Sequence, residues 1–272
     1  MSLKKQSTSV ISLSVLLDVG KFLLLAAVLT WFLARGTAGL GYNWQWYRVP
    51  PYLFSLENGS LIAGPLIAGL ILTLKITAVS LVLACAFGLI TALFRLSDSL
   101  VARIIARGYL EFIRNTPLLV QIFLIYFVLA PVLDISRFTS AVLALSLFEG
   151  AYASEIFRAG IVSVPKEQWE AAYSTGLSTA QTYRFVILPQ AVRWMLPPLT
   201  SQAISLVKDS ALVSTIAIYD LTMQGQAIIA ETFLTFEIWF TVAFIYFLIT
   251  VTLSLAVGML ENRFRIPAQK AL

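Results

Sequence analysis

Four charged side chains lie inside runs that are otherwise apolar, where an ion is costly and usually faces a cavity or another ion. Glu149 sits near the middle of one such run, Lys208 and Asp209 lie together midway along another, and Arg114 lies about two turns into a third. A carboxylate suits an ammonium and an arginine or lysine suits a carboxylate, so this set has the chemistry to receive the two ends of a zwitterion. The same residues would equally serve as ion pairs that lock helices together, an alternative open for the adjacent Lys208 and Asp209, which point to different faces. Gly150 and Ser154 form a small-xxx-small pair that permits close helix contact, within one bundle or across a dimer.

What is missing narrows the chemistry further. The 272 residues include no histidine, which excludes imidazole metal sites, Ser-His triads and histidine proton relays. Without clustered carboxylates at metal spacing, a membrane-embedded enzyme is not expected either. The single cysteine, Cys85, lies in an apolar run and reads as a packing residue. No G-x-x-x-x-G-K-[ST] occurs, so the chain cannot cradle ATP phosphates in that way.

These charges must be held by membrane-spanning elements. Of the residues, 59% are hydrophobic and only 12% charged, against roughly 25% charged in soluble domains. A helix needs about 20 apolar residues to cross about 30 Å of hydrocarbon. Six segments qualify, beginning and ending near Leu13 and Ala34, Pro65 and Phe94, Gly108 and Leu129, Thr139 and Gly160, Leu196 and Tyr219, and Ile238 and Leu260. The expected architecture is therefore an all-α integral membrane protein. The first segment has a basic start at Lys4 and Lys5 like a signal peptide, but its apolar stretch is longer than a signal core, so a retained helix is expected. Asp18 and Lys21 interrupt it.

Lys and Arg residues set the orientation. With the amino terminus in the cytoplasm, twelve of them fall on the cytoplasmic side, among them Lys4, Arg95, Arg103, Arg107, Arg158, Arg184 and Arg263. Only Arg35, Arg48 and Arg137 fall outside. Both termini are then cytoplasmic, and residues 36–64, rich in Trp and Tyr, are external. The net charge of +5 is spread between spans and forms no basic, aromatic-interleaved face, so nucleic acid is not an expected partner.

The longest cytoplasmic loop, Ile161 to Met195, reads as two short helices and a tight turn. Pro165 suits a first turn. Trp169, Ala172 and Tyr173 fall at i, i+3, i+4 and give one apolar face. Gly176 sits where a left-handed residue ends a helix, and Ser178 with Gln181 has capping-box spacing. Tyr183, Val186 and Ile187 repeat the apolar spacing, and Pro189 is expected to stop the second helix because it pushes Leu188 out of the helical region. Such a hairpin reads either as a docking element for a cytoplasmic partner or as a cap packed under the bundle.

Glu170-Ala171-Ala172, then Gly176, then Leu188-Pro189 resembles the EAA loop of bacterial ATP-binding-cassette (ABC) importer permeases, with Val186 at a position that is typically isoleucine. Gly69, Thr73, Leu74 and Thr77, the run from Phe112 to Gln121, Gly150-Ala151-Tyr152 and Glu155-Ile156-Phe157-Arg158 resemble permeases for polar amino acids of the histidine, glutamine, glutamate and arginine types. Asn115 replaces their glycine, and Phe148-Glu149 stands where many members have Asn-Ser. The resemblance covers about Gly64 to Arg265.

It implies a type I ABC importer permease fold in the bacterial inner membrane, importing amino acids by alternating access. Its parts would be an extra first helix at residues 1–35, the external segment 36–64, a five-helix core at 65–265 with a coupling loop at 161–195, and a tail at 266–272. Glu170, Ala171, Ala172, Gly176, Leu188 and Pro189 would couple to the ATPase. Glu149, Arg114, Asn115, Lys208 and Asp209 would line the substrate path, and a negative charge at Glu149 implies a tilt toward cationic amino acids. The chain itself would carry no cofactor. ATP and Mg²⁺ would sit on a cytoplasmic ATPase dimer, with a second permease chain, identical or paralogous, and an external binding protein completing the importer. An importer for another small solute and an ion-driven amino-acid transporter are the competing readings.

Overall fold

A computed structural model describes residues 13–39, 41–57 and 60–264. The chain forms two compact units that divide between Gln45 and Trp46. In the first, α1 (Leu13–Gly39) is one apolar helix, about 40 Å long at 1.5 Å per residue. The two charges that interrupt its sequence pair with each other one turn apart, Lys21 Nζ donating to Asp18 Oδ1 at 3.3 Å. The expected tail at 266–272 and the first twelve residues lie outside the described residues.

The second unit opens with a 3-10 turn (Trp46–Arg48), α2 (Pro50–Leu53) and an antiparallel pair, β1 (Phe54–Glu57) and β2 (Ser60–Ala63), in register Phe54↔Ala63 to Glu57↔Ser60. Then come α3 (Pro65–Leu96), α4 (Leu100–Arg114), α5 (Leu118–Phe123), a π turn (Leu124–Leu129), α6 (Ala130–Leu133) and α7 (Arg137–Val162). The hairpin α8 (Lys166–Ser174), α9 (Thr179–Thr182) and a π turn (Tyr183–Ile187) leads into α10 (Leu188–Asp209), a 3-10 segment (Ser210–Ile216), α11 (Leu221–Thr232) and α12 (Thr235–Phe264).

Helices α3 and α7 are the spine. The buried face of α3 is a ladder of small residues that includes Gly69, Thr73, Thr77, Ser80, Ala84 and Gly88. A Cβ at Gly88 would meet Ala153 Cβ at 2.8 Å and the Gly150 carbonyl at 3.0 Å. The Gly150–Ser154 pair therefore brings α7 against α3 inside this bundle, where van der Waals contact holds helices that lipid alone does not drive together. Four apolar clusters follow the spine among the described residues: one centred on Ile76, Leu145 and Leu206, one on Leu66, Leu221 and Ile238, one on Ile161, Ile187 and Met195, and one on Leu110, Ile113 and Ala151.

Among the described residues, stretches of α1, α3, α7 and α12 are long and apolar enough to cross a membrane. The expected third span is a broken one, because α4 and the segment Leu118–Leu133 meet at 108°. The break follows from Asn115-Thr116-Pro117: Pro117 is extended (φ −62°, ψ 139°) and starts α5 afresh. Buried Gln121 repairs the break, its Nε2 donating to the Ile113 carbonyl (2.8 Å), the Thr116 carbonyl (3.0 Å) and Thr116 Oγ1 (2.9 Å). The expected fifth span falls on α10, which is not among those apolar stretches; it starts at Leu188 rather than near Leu196 and tightens to 3-10 at Ser210.

Candidate functional site

The hairpin at 165–187 is built by backbone chemistry that its sequence specifies. Gly176 is left-handed (φ +82°). Its N–H donates to the Tyr173 carbonyl (2.9 Å) and the Leu177 N–H to the Ala172 carbonyl (3.3 Å), the two reverse bonds of a Schellman turn. The second helix starts in a complete capping box: the Ser178 N–H donates to Gln181 Oε1 (2.9 Å), and the Gln181 N–H donates to Ser178 Oγ (3.4 Å). The two limbs then meet through Trp169 and Tyr183, whose rings lie edge to face at 5.1 Å. Both rings rest on Ile161, Val164, Ile187, Ala191 and Met195.

Two expectations fail here. Pro189 does not stop the helix; Leu188 is helical (φ −60°, ψ −41°) and Pro189 sits in the first turn of α10. The π turn explains this, since the Leu188 N–H donates to the Tyr183 carbonyl five residues back, and this widening accommodates a ring that would clash in a regular helix. Tyr173 is the other case. Trp169 and Ala172 turn inward, but Tyr173 stays 46% exposed, because the covering limb is as short as α8 itself and shields one flank.

The outer face of the hairpin thus presents Glu170, Ala171, Tyr173 and Gly176, with Phe185 (61% exposed) and Leu188 beside them. A Cβ at Gly176 would meet nothing within 4 Å. Ala172, by contrast, is buried.

The expected substrate-path residues separate into two groups. Glu149 is buried in α7, and the Asp209 carboxylate at the end of α10 lies within Coulombic reach of it. Among the described residues neither forms an ion pair, and Lys208 is exposed. Among the described residues, then, neither Lys208 nor Asp209 pairs with an ion on another helix to lock the bundle, although the Lys208 charge acts on Asp209 beside it. Arg114 belongs elsewhere: its Nη1 donates to Glu155 Oε1 at 3.2 Å. Asn115 caps α4, its Nδ2 donating to the Glu111 carbonyl (2.7 Å) and carboxylate (2.9 Å).

Glu155 is the residue that sequence reasoning missed as a hub. Besides Arg114 it takes Arg158 Nη2 at 3.2 Å and Arg95 Nη1 at 2.6 Å. The Arg95 contact is ionic rather than an aligned hydrogen bond. The only sequence signal was the i, i+3 spacing of Glu155 and Arg158; the other two arginines arrive from α3 and α4. The four close one wall of a cleft of about 340 Å³.

Comparison with known proteins agrees with this architecture. Residues 84–266 match the family described as the binding-protein-dependent transport system inner membrane component. The L-cystine transport system permease protein TcyB of Bacillus subtilis is 43% identical over 72% of this chain and 84% of its own length. The glutamine transport system permease protein GlnP of Escherichia coli is 41% identical over 74% and 93%. A crystal structure of an amino acid ABC transporter with histidines superposes with a TM-score of 0.68, 41% identity and coverage of 73% of this chain and 94% of that one. The methionine transporter MetNI in an inward-facing form shares the fold at 18% identity (TM-score 0.63, coverage 74% and 96%). The apolar helices, the EAA-type hairpin and this match over most of the chain have one meaning: the chain belongs to the inner-membrane permease family of binding-protein-dependent ABC importers, as a multi-pass transport subunit rather than an enzyme.

Proposed function

We propose that this chain imports polar amino acids, with a tilt toward cationic ones, as one of two permease chains driven by a separate cytoplasmic ATPase dimer and supplied by an external binding protein. ATP and Mg²⁺ belong to the ATPase. The observation that carries the proposal is the two-sided hairpin: one side packed on Ile187 and Met195, the other carrying exposed Glu170, Tyr173 and Phe185. Large exposed apolar groups beside an acid suit a protein partner. The amino-acid class is supported by relatives named for glutamine and cystine. The cationic tilt is supported by Glu149 and Asp209, two neighbouring carboxylates without an ion pair among the described residues, which suit an arriving ammonium.

In this reading the hairpin end faces the cytoplasm, as do both termini. ATPase closure moves α8, and the rigid turn at Gly176 passes that movement through the π turn into α10, which carries Asp209 at its far end. Purification of the tagged full chain from native membranes in mild detergent, followed by mass spectrometry, tests the assembly. An ATPase with a nucleotide-binding P-loop and a permease chain, identical or paralogous, should accompany it. Recovery of the chain alone from intact, folded preparations would count against the proposal.

A further inference from the structure

The helix α4 has two faces of opposite character. Leu100, Val101, Ile104, Ile105 and Phe112 are exposed, each by more than half. Arg103, Arg107, Glu111 and Arg114 follow at helical spacing on the other side and line the cleft with Arg95 and Arg158. A helix of this kind lies at the membrane interface, apolar side in the acyl region and arginine side at the headgroups. The 108° bend that follows it is consistent with a helix that leaves the direction of its successor.

The cleft carries more positive charge than its acids neutralise. Five arginines face Glu111 and Glu155. Glu155 holds Arg95, Arg114 and Arg158, and the Glu111 carboxylate accepts from Asn115. Among the described residues, Arg103 and Arg107 have no carboxylate partner. Two free guanidinium forks one turn apart match the oxygens of a phosphate.

We propose that this cleft holds the phosphate diester of an anionic phospholipid, with its acyl chains along the Leu100–Ile105 face of α4. A free phosphate or a substrate carboxylate would use the arginines but not the apolar stripe beside them; a phospholipid uses both. The inference rests on the cytoplasmic placement of the hairpin in one respect, the leaflet. Leu96, which lines the cleft, packs against the cluster under Trp169 and Tyr183, so the lipid belongs to the inner, anionic leaflet. There it braces α3, α4 and α7 beside the hairpin.

Native mass spectrometry of the full chain tests this, after equilibration in micelles with equimolar phosphatidylglycerol and phosphatidylcholine. The wild type should retain phosphatidylglycerol in preference. The double variant Arg103→Gln/Arg107→Gln should lower that preference by about tenfold or more, since each arginine near an anionic headgroup contributes roughly one unit of favourable energy on the kcal/mol scale. Arg103→Lys/Arg107→Lys keeps the charges but not the forks and should keep a preference between those of the wild type and the glutamine variant; both side chains lie on an exposed face, so folding is spared. Millimolar inorganic phosphate should leave the lipid bound. Equal retention of the two lipids by the wild type, an unchanged preference in the glutamine variant, or displacement by phosphate would each overturn the proposal. Labelling of Ser178→Cys from outside reports orientation separately: an external hairpin would change the leaflet without removing lipid retention.

Discussion

At the residue scale, Gly176 and Glu149 carry different kinds of argument. Gly176 is needed for its backbone, because a β-carbon in the left-handed region costs roughly 1 kcal/mol while space around it is open. Gly176→Asn should therefore fold and couple better than Gly176→Ala, since asparagine tolerates that conformation; equal coupling by the two, measured as ATP-driven uptake, would show that only bulk matters. Its position and role were legible because a glycine before Ser-x-x-Gln has few other uses. Glu149 was legible only as a misplaced charge. Glu149→Gln should weaken substrate affinity by about tenfold or more while the chain still folds, as a charge-assisted bond is worth roughly 1.5–3 kcal/mol. Substrate titration of uptake in reconstituted vesicles measures this. Glu155 escaped notice because its partners Arg95 and Arg114 are far away in sequence and converge only through α3 and α4 packing on α7.

At the scale of elements, local signals gave good account of what is local. The Ser178–Gln181 box and the Schellman turn are i, i+3 and i, i+5 devices, and sequence spacing finds them. The π turn at 183–187 was not visible, because its cause is the pull of Ile187 into the apolar cluster against the geometry that Pro189 demands. The break at 115–117 was hidden for a similar reason. Apolar composition runs straight through it, and the residue that makes it tolerable, Gln121, acts from the next helix. Gln121→Leu should leave two carbonyls and a hydroxyl without their donor and destabilise the bundle by roughly 1–3 kcal/mol. A lowered thermal transition of the purified chain in detergent checks it; an unchanged transition would mean that the break is held by helix packing alone.

For the whole molecule, hydropathy was enough for the helical membrane class, since lipid leaves few solutions other than helical bundles, and the motif resemblance supplied the fold. Hydropathy was not enough for the number of clean spans, because α10 carries polar residues along its length and α4 breaks by 108° from the segment that follows it. The lysine and arginine bias supports the proposed orientation. Single cysteines at Ser7 and Ser178, in a Cys85→Ala background, should resist an impermeant thiol reagent applied from outside and react once the membrane is opened. External labelling of either would invert the topology.

The central claim is that the hairpin transmits work from an ATPase to the bundle. ATP hydrolysis by the reconstituted importer, with and without substrate-loaded binding protein, tests it most directly. Gly176→Asp, which adds strain and bulk on the outer face, should leave the bundle inserted but remove substrate stimulation of hydrolysis. Glu170→Lys should lower ATPase association by reversing an exposed charge at the contact. Full substrate-stimulated hydrolysis and uptake in both variants would contradict the account and reduce the hairpin to a cap packed under the bundle.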